Sequence, residues 1–243
     1  MPETLAIVEM GMRAEMDRLG VISHNLANAS TPGFRREIAI ARPFGGQLTA
    51  RLEGLVASGI SPLDAGIARV TDDRPGSLQH TGNPLDIAIE GPGYLTLVGP
   101  EGALYSRRGA LQLAANGQLT GPMGLPVMGR SRPVQLDSAS VRIDETGAIW
   151  DGDVHVDDLA ISELAAGSDL EPLGGGVYAA PGVEREASAS TRIRQHHLEG
   201  ANVSVMREMV LLMETMRRFE AIQNVVKSYD DVTEQALRTI GDL

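Results

Sequence analysis

Few residues in this chain have the types and spacing that chemistry requires. His196 and His197 are adjacent, and adjacent residues on a regular element point in different directions. No His-Glu spacing of a zinc-binding helix accompanies them. Asp144, Asp151, Asp153, Asp157 and Asp158 form an acidic stretch without the spacing of a calcium loop, so their expected task is to keep turns solvated. Gly174-Gly175-Gly176 does not follow a strand and open a helix, and it reads as a flexible turn rather than a phosphate cradle. The chain has no cysteine, which excludes disulfides, thiolate metal sites and cysteine nucleophiles. No local signature marks a Ser-His-Asp set, a carboxylate pair or a metal cluster. The expectation is no catalytic residue, no cofactor and no metal. The formal charge of −11, with no basic stripe interleaved with aromatics, argues against a nucleic-acid partner.

The remaining polar candidates are structural. Asn25 and Asn28 lie three apart on one helical face. Either backbone groups satisfy them, or they bond to another helix or another subunit. Gly33 and Phe34 read as a turn former and an anchor. Arg217, Arg218 and Glu220 read as interface charges. Met206, Met209, Met213 and Met216 read as an adaptable apolar face in a core that lies between subunits.

The elements that carry these residues announce themselves by period. Leu5, Val8, Met12, Leu19, Ile22 and Leu26 keep a heptad beat broken only at Glu15, where Met16 covers the gap. They predict a helix of about 23 residues, roughly 35 Å long. Asn28 is placed to end it in a left-handed cap. Thr31-Pro32-Gly33 reads as a type II turn, with Pro fixing the first central φ and Gly supplying the positive second one. At the other end Met206, Met209, Val210, Met213, Met216, Phe219, Ile222, Val226, Tyr229, Val232, Ala236 and Ile240 keep a helical spacing. Asn202 or Ser204 can cap it. No Pro or Gly interrupts Ala201 to Ile240, so this helix runs about 37 residues, roughly 55 Å. A stripe that long suggests a coiled coil or a helical assembly.

Between the helices the period is two. Leu85, Ile87 and Ile89 alternate with Asp86, Ala88 and Glu90, a half-buried strand. Gly91-Pro92-Gly93 turns it, and Tyr94 to Val98 reads as its partner. Leu111 and Leu113 precede Asn116-Gly117, a strong hairpin signal, and Leu119 follows. Gly121-Pro122 and Met123-Gly124 make another turn. Further strands are expected at Val141 to Ile143, Ala148 to Trp150 and Leu159 to Leu164. The stretches 42–74 and 165–195, rich in Gly, Pro, Ala and Ser, read as connectors. Aromatics make up only 3% of the chain, so its core is expected to be aliphatic. The 243 residues suffice for one or two modest domains. The fold class is α+β: long N- and C-terminal helices pairing as a coiled-coil-like stem, with a central, mostly antiparallel β domain. The expected divisions are 1–41 (helix and turn), 42–74 (connector), 75–185 (β domain) and 186–243 (connector and C-terminal helix). No window of about 18 apolar residues offers a membrane span, and the N-terminus lacks the pattern of a secretory signal.

Six segments together carry a resemblance. Ile22-Ser23-His24-Asn25-Leu26-Ala27-Asn28-Ala29-Ser30-Thr31-Pro32-Gly33-Phe34 resembles the N-terminal signature of flagellar rod and hook proteins, with His24 where that family usually has Asn. Thr81 to Tyr94 resembles the opening of the family's β domain, where Leu95 replaces a second aromatic. Tyr105-Ser106-Arg107-Arg108-Gly109-Ala110 and Val127-Met128-Gly129 are similar to later motifs, with Arg108 replacing an acidic or amide residue. Leu198-Glu199-Gly200-Ala201-Asn202-Val203 and Arg217-Arg218-Phe219-Glu220 look like its C-terminal signature. The matches cover about half the chain, in the family's order.

The resemblance implies a structural subunit of the flagellar basal-body rod, in its proximal part, that transmits torque in motility. It implies export as an unfolded chain through the flagellar secretion apparatus, without a cleaved signal. Assembly then takes place in the periplasm, with the terminal helices forming the inner tube. The implied partners are other axial proteins, copies of the chain and the export apparatus. The residues expected at the assembly interface are Leu5, Val8, Met12, Leu19, Ile22, Asn25, Leu26, Asn28 and Phe34 on the N-terminal side. On the C-terminal side they are Asn202, Val203, Met209, Met213, Met216, Arg217, Arg218, Phe219 and Glu220. A distal-rod or hook-type paralogue is the nearest alternative. A periplasmic cell-wall hydrolase is the alternative of another class, and it would need catalytic groups gathered from distant parts of the chain.

Overall fold

The computed structural model describes residues 2–41, 67–164, 170–180, 185–186 and 191–241. Among the described residues two α-helices bracket seventeen strands and a short 3-10 helix (Pro122–Gly124): α1 (Pro2–Ala27) at one end and α2 (Val205–Gly241) at the other. In chain order the first strands are β1 (Glu37–Ala41), β2 (Ile67–Thr71), β3 (Leu78–His80), β4 (Ile87–Glu90), β5 (Gly93–Val98), β6 (Ala103–Ser106), β7 (Gln112–Leu113) and β8 (Leu119–Thr120). They continue with β9 (Arg142–Ile143), β10 (Ala148–Asp151), β11 (Val154–Asp158), β12 (Ile161–Glu163), β13 (Glu171–Gly174), β14 (Val177–Ala179), β15 (Arg185–Glu186), β16 (Arg192–Gln195) and β17 (His197–Glu199). Every named strand pairing is antiparallel. The class is α+β, with terminal helices and a central antiparallel β region.

The chain divides into two units. A helical unit holds the described residues of Met1–Ala27, Glu37–Asp72 and Val203–Leu243, and a β unit holds those of Asn28–Arg36 and Asp73–Asn202. In the helical unit α1 packs against α2 and against the hairpin of β1 and β2. Strand β2 thus lies inside the stretch 42–74 expected to connect, of which 42–66 lie outside the described residues. Gly11 of α1 faces Ile222 of α2: a Cβ there would stand 3.7 Å from the Ile222 Cδ1. Ser204 immediately precedes α2, and its carbonyl accepts the Glu208 N–H at 3.0 Å. The left-handed cap expected at Asn28 is not formed, since the only non-glycine residues with positive φ among those described are Met123 and His196. Instead the Asn28 carbonyl accepts the Thr31 N–H at 2.9 Å, and the Thr31 hydroxyl lies 3.3 Å from Asn28 Oδ1. The helix end is closed by a turn that keeps ordinary backbone angles. The Thr31 to Phe34 turn follows as read, with Phe34 N–H on the Thr31 carbonyl at 3.2 Å and Gly33 at φ +69°.

The β unit is built on one aliphatic core of Leu, Ile and Val, centred on Ile87, Leu95, Leu97, Leu119, Val127 and Ile149. Tyr94, Tyr105 and Tyr178 form a second, smaller cluster. The largest sheet has the order β13-β14-β6-β5-β12-β15. Strand β4 differs from its expected form in two ways. Ile87, Ala88 and Ile89 are all buried, so the strand is covered on both faces. Its partner is β16, not β5, which pairs with β6 and β12. The Gly91 and Gly93 carbonyls explain the second difference, because both accept hydrogen bonds from the Arg107 guanidinium. That bends the chain out of the β4 ladder and into the next sheet. The Asn116-Gly117 signal does mark the hairpin of β7 and β8, and Gly174-Gly175-Gly176 turns β13 into β14.

Candidate assembly interface

Helix α2 inverts the ordinary arrangement of a surface helix along its first half. Met206, Met209, Val210, Met213 and Met216 are exposed, from 46% to 79% of each residue, whereas Glu208 (0%) and Thr215 (2%) are buried. Two heptad stripes explain this. The inner stripe is Glu208, Thr215, Phe219, Ile222, Val226 and Tyr229, whose last four members are half-buried. The outer stripe is Met206, Met209, Met213, Met216, Glu220, Gln223 and Lys227, all exposed. Apolar character passes from the outer stripe to the inner one between Met216 and Phe219. Such a helix presents an apolar face to solvent among the described residues.

The buried Asn25 and Thr215 side chains are hydrogen-bonded locally, whereas Glu37 Oε2 is buried with an ion-pair contact and no hydrogen bond. The Asn25 amide donates to the Glu37 carbonyl at 2.8 Å and accepts the Glu37 N–H at 2.8 Å, as a neighbouring strand would. Its Nδ2 also lies 3.3 Å from Glu208 Oε2. The Glu37 carboxylate faces His24 and Arg69, each at 3.7 Å, and the Thr215 hydroxyl donates to the Leu211 carbonyl at 2.8 Å. One amide thus joins α1, β1 and α2. Burying such groups unpaired would cost about 1–3 kcal/mol each.

The β unit holds a second node. Glu199 is buried between two buried guanidiniums, with Arg35 at 3.0 Å and Arg107 at 3.3 Å. Its Oε1 also accepts the Gly76 N–H at 2.9 Å. The surplus positive charge is met by backbone: Arg35 donates to the Arg74 carbonyl, and Arg107 donates to Gly91 and Gly93 while lying 5.4 Å from the Tyr94 ring centroid. Burial pushes the Arg107 pKa below its ordinary value, and Glu199 opposes that shift. Burial raises the Tyr94 hydroxyl. The Thr31 to Phe34 turn docks here, with Gly33 N–H on the Glu199 carbonyl at 2.6 Å. A Cβ on Gly33 would meet the Arg107 and Arg108 backbone at 2.7 Å, so no other residue fits. Asn202 accepts the Arg36 N–H at 2.6 Å and donates to the Arg74 carbonyl at 2.8 Å, so its amide braces the β unit.

The structure thus sorts the expected interface residues into different environments. Met209, Met213, Met216, Arg217, Arg218 and Glu220 are exposed, and Arg218 reaches Glu214 at 3.9 Å. Val8, Met12, Leu19, Leu26, Asn28, Asn202, Val203 and Phe219 are half-buried, while Ile22, Asn25 and Phe34 are buried. The Leu5 side chain lies outside the described residues. Missed by sequence reasoning were Glu37, Glu208 and Thr215, and the ions Arg35, Arg107 and Glu199. A glutamate inside an apolar helical run was the available signal for Glu208. Arg107 and Glu199 stood inside the quoted motifs, and Arg35 directly follows one.

His197 and Asp144 have structural partners. His80 sits opposite His197 in the β3–β17 register, with ring centroids 4.9 Å apart, and the His197 Nδ1 meets the Gln195 carbonyl at 2.8 Å. Asp144 folds a turn by accepting from Thr146 N–H at 2.9 Å, Thr146 Oγ1 at 2.6 Å and Ala148 N–H at 3.1 Å. Burial acts to raise its pKa, but these bonds and that from Trp150 outweigh it and hold the carboxyl below its ordinary value. Among the described residues no group of three or more His, Cys, Asp or Glu side chains is placed to hold a metal ion, and no helix is long and apolar enough to cross a membrane.

Terminal helices, one of them with an exposed apolar face, and a central antiparallel β region are the architecture of a structural subunit. Three family descriptions match in order. Residues 8–35 match "Flagella basal body rod protein", 88–150 match "Flagellar hook protein FlgE/F/G D1 domain", and 194–239 match "Flagellar basal body rod FlgEFG protein C-terminal". The chain is 31% identical over 234 residues to the flagellar basal-body rod protein FlgF of Escherichia coli (strain K12), covering 89% of each. It is 28% identical over 259 residues to the FlgG of Buchnera aphidicola subsp. Schizaphis graminum, covering 96% of this chain and 97% of that one. It is 27% identical over 246 residues to the FlgF of Mesorhizobium japonicum, covering 99% of both. The chain belongs to the flagellar basal-body rod protein family. It is a structural subunit of the flagellar basal body that assembles with other axial proteins, and not an enzyme.

Proposed function

We propose that this subunit builds the proximal rod, where it docks copies of itself and neighbouring axial proteins through the outer stripe of α2 and so carries torque. The uncovered methionine face is the observation that carries this reading. Covering four half-exposed methionines contributes on the order of 1 kcal/mol per side chain, repeated at every subunit. Helices α1 and α2 pair as a coiled-coil-like stem along the inner stripe from Phe219 to Tyr229, and the stem lines the inner tube of the rod. The chain reaches the periplasm unfolded through the flagellar export apparatus. The proximal position is supported by the end-to-end match with the Mesorhizobium FlgF. A distal position is the second reading, favoured by the 96% coverage in the match with the Buchnera FlgG.

The test is Met213→Asp, because a charge buried in an apolar seam costs several kcal/mol. The variant is expected to be exported, to fold its β unit after export and to be missing from detergent-extracted basal bodies. Full incorporation with normal swimming would overturn the docking role. A density map of the intact rod decides its position, and finding the chain only in the distal segment would overturn the proximal reading.

A further inference from the structure

We propose that the outer stripe is also a modification site, at which peroxide-class oxidants convert Met206, Met209, Met213 and Met216 to sulfoxides in the unassembled chain and stop it from docking. The inference rests on the reading of this stripe as the docking surface.

The four methionines follow one another at steps of three, four and three, which places them along one helix face. Their exposure runs from 46% to 79%, while Met10 and Met12 on α1 are half-buried. Thioether oxidation follows access to solvent. A sulfur lone pair attacks one peroxide oxygen, the O–O bond breaks and the S–O bond forms. The S–OH cation so formed gives its proton to the displaced hydroxide, leaving the sulfoxide and water. Methionine is oxidised by two electrons and the peroxide is reduced.

The product differs from the reactant in the property the face needs. A flexible apolar side chain becomes polar and chiral, and a sulfoxide buried without a hydrogen-bond partner opposes docking. The helix itself is spared. Its contacts with α1 run along the inner stripe, where Phe219, Ile222, Val226 and Tyr229 hold no sulfur. Oxidation therefore acts on association and not on the fold of the subunit. Docking covers the same thioethers, so an assembled subunit is protected, and reduction by methionine sulfoxide reductases restores a free one.

The experiment treats the purified full chain with hydrogen peroxide, maps the oxidised methionines by mass spectrometry and measures self-association by sedimentation. A variant carrying Met206→Leu, Met209→Leu, Met213→Leu and Met216→Leu is run in parallel. It keeps the apolar face and also keeps the exposed Met16 and Met123. The expected result is faster oxidation of the four outer methionines than of Met10 and Met12, and association weakened at least roughly tenfold. Reductase treatment should restore it, and the leucine variant should associate equally before and after peroxide. Association of the parent chain that survives complete oxidation of the four sites overturns the inference alone, as does equal loss in the leucine variant. Unoxidised parent chain that does not associate overturns the docking reading, and this inference with it.

Discussion

Individual side chains in this subunit do their work through burial. Glu199 is the sharpest case, because two guanidiniums share one carboxylate away from water. Removing one partner from such a group is expensive, since it strands the remaining charge. Glu199→Gln is expected to destabilise the β unit by about 3–5 kcal/mol, read as a lower urea midpoint. A change below about 1 kcal/mol would show that the triad is not closed in solution. Asn25→Leu removes both bonds to the Glu37 backbone and the contact with Glu208, and is expected to loosen β1 and the start of α2 together in hydrogen exchange. Asp144 gives a pH-dependent test. Its folded pKa lies below the ordinary 3.8, so its contribution is fully present above that value and fades as pH falls through the lowered one. The stability difference between the parent chain and Asp144→Asn is expected to be constant near neutrality and to shrink only in acid. A difference that shrinks between pH 8 and about pH 6 would assign the effect elsewhere.

At the scale of elements, α2 contains both the success and the failure of pattern reading. Periodicity located the helix and its length, because no Pro or Gly interrupts it. It joined Met206 through Ile240 into one stripe, because spacing reports which side chains are apolar and not what lies opposite them. The structure separates that series at Met216 and Phe219 into an exposed face and a half-buried one. Ile222→Asp, on the inner stripe opposite Gly11, is expected to open the α1–α2 pair in the free subunit, seen as lost amide protection in α1. Met213→Asp, on the outer stripe, is expected to leave that protection unchanged. Equal losses in both variants would mean that the two stripes do not have separate roles. Strand β4 shows a related limit. Its alternation read as half-buried, yet Ala88 is small enough to be covered as well, and its pairing was decided by Arg107, far outside any local pattern. The signature residues were legible as segments. Their meeting around Glu199 was not, since nothing in spacing tells that Arg35, Arg107 and Glu199 converge.

At the scale of the whole molecule, the central claim is that the outer methionine stripe is uncovered in the free subunit and covered in the rod. The absence of cysteine makes this directly measurable, because Met213→Cys introduces a single thiol with no background. Maleimide labelling of that variant would be timed on the free full chain and on purified basal bodies. The account predicts rapid labelling of the free chain and strong protection in the basal body, with protection lost when the rod is dissociated. Labelling of the assembled chain at the rate of the free one would contradict it.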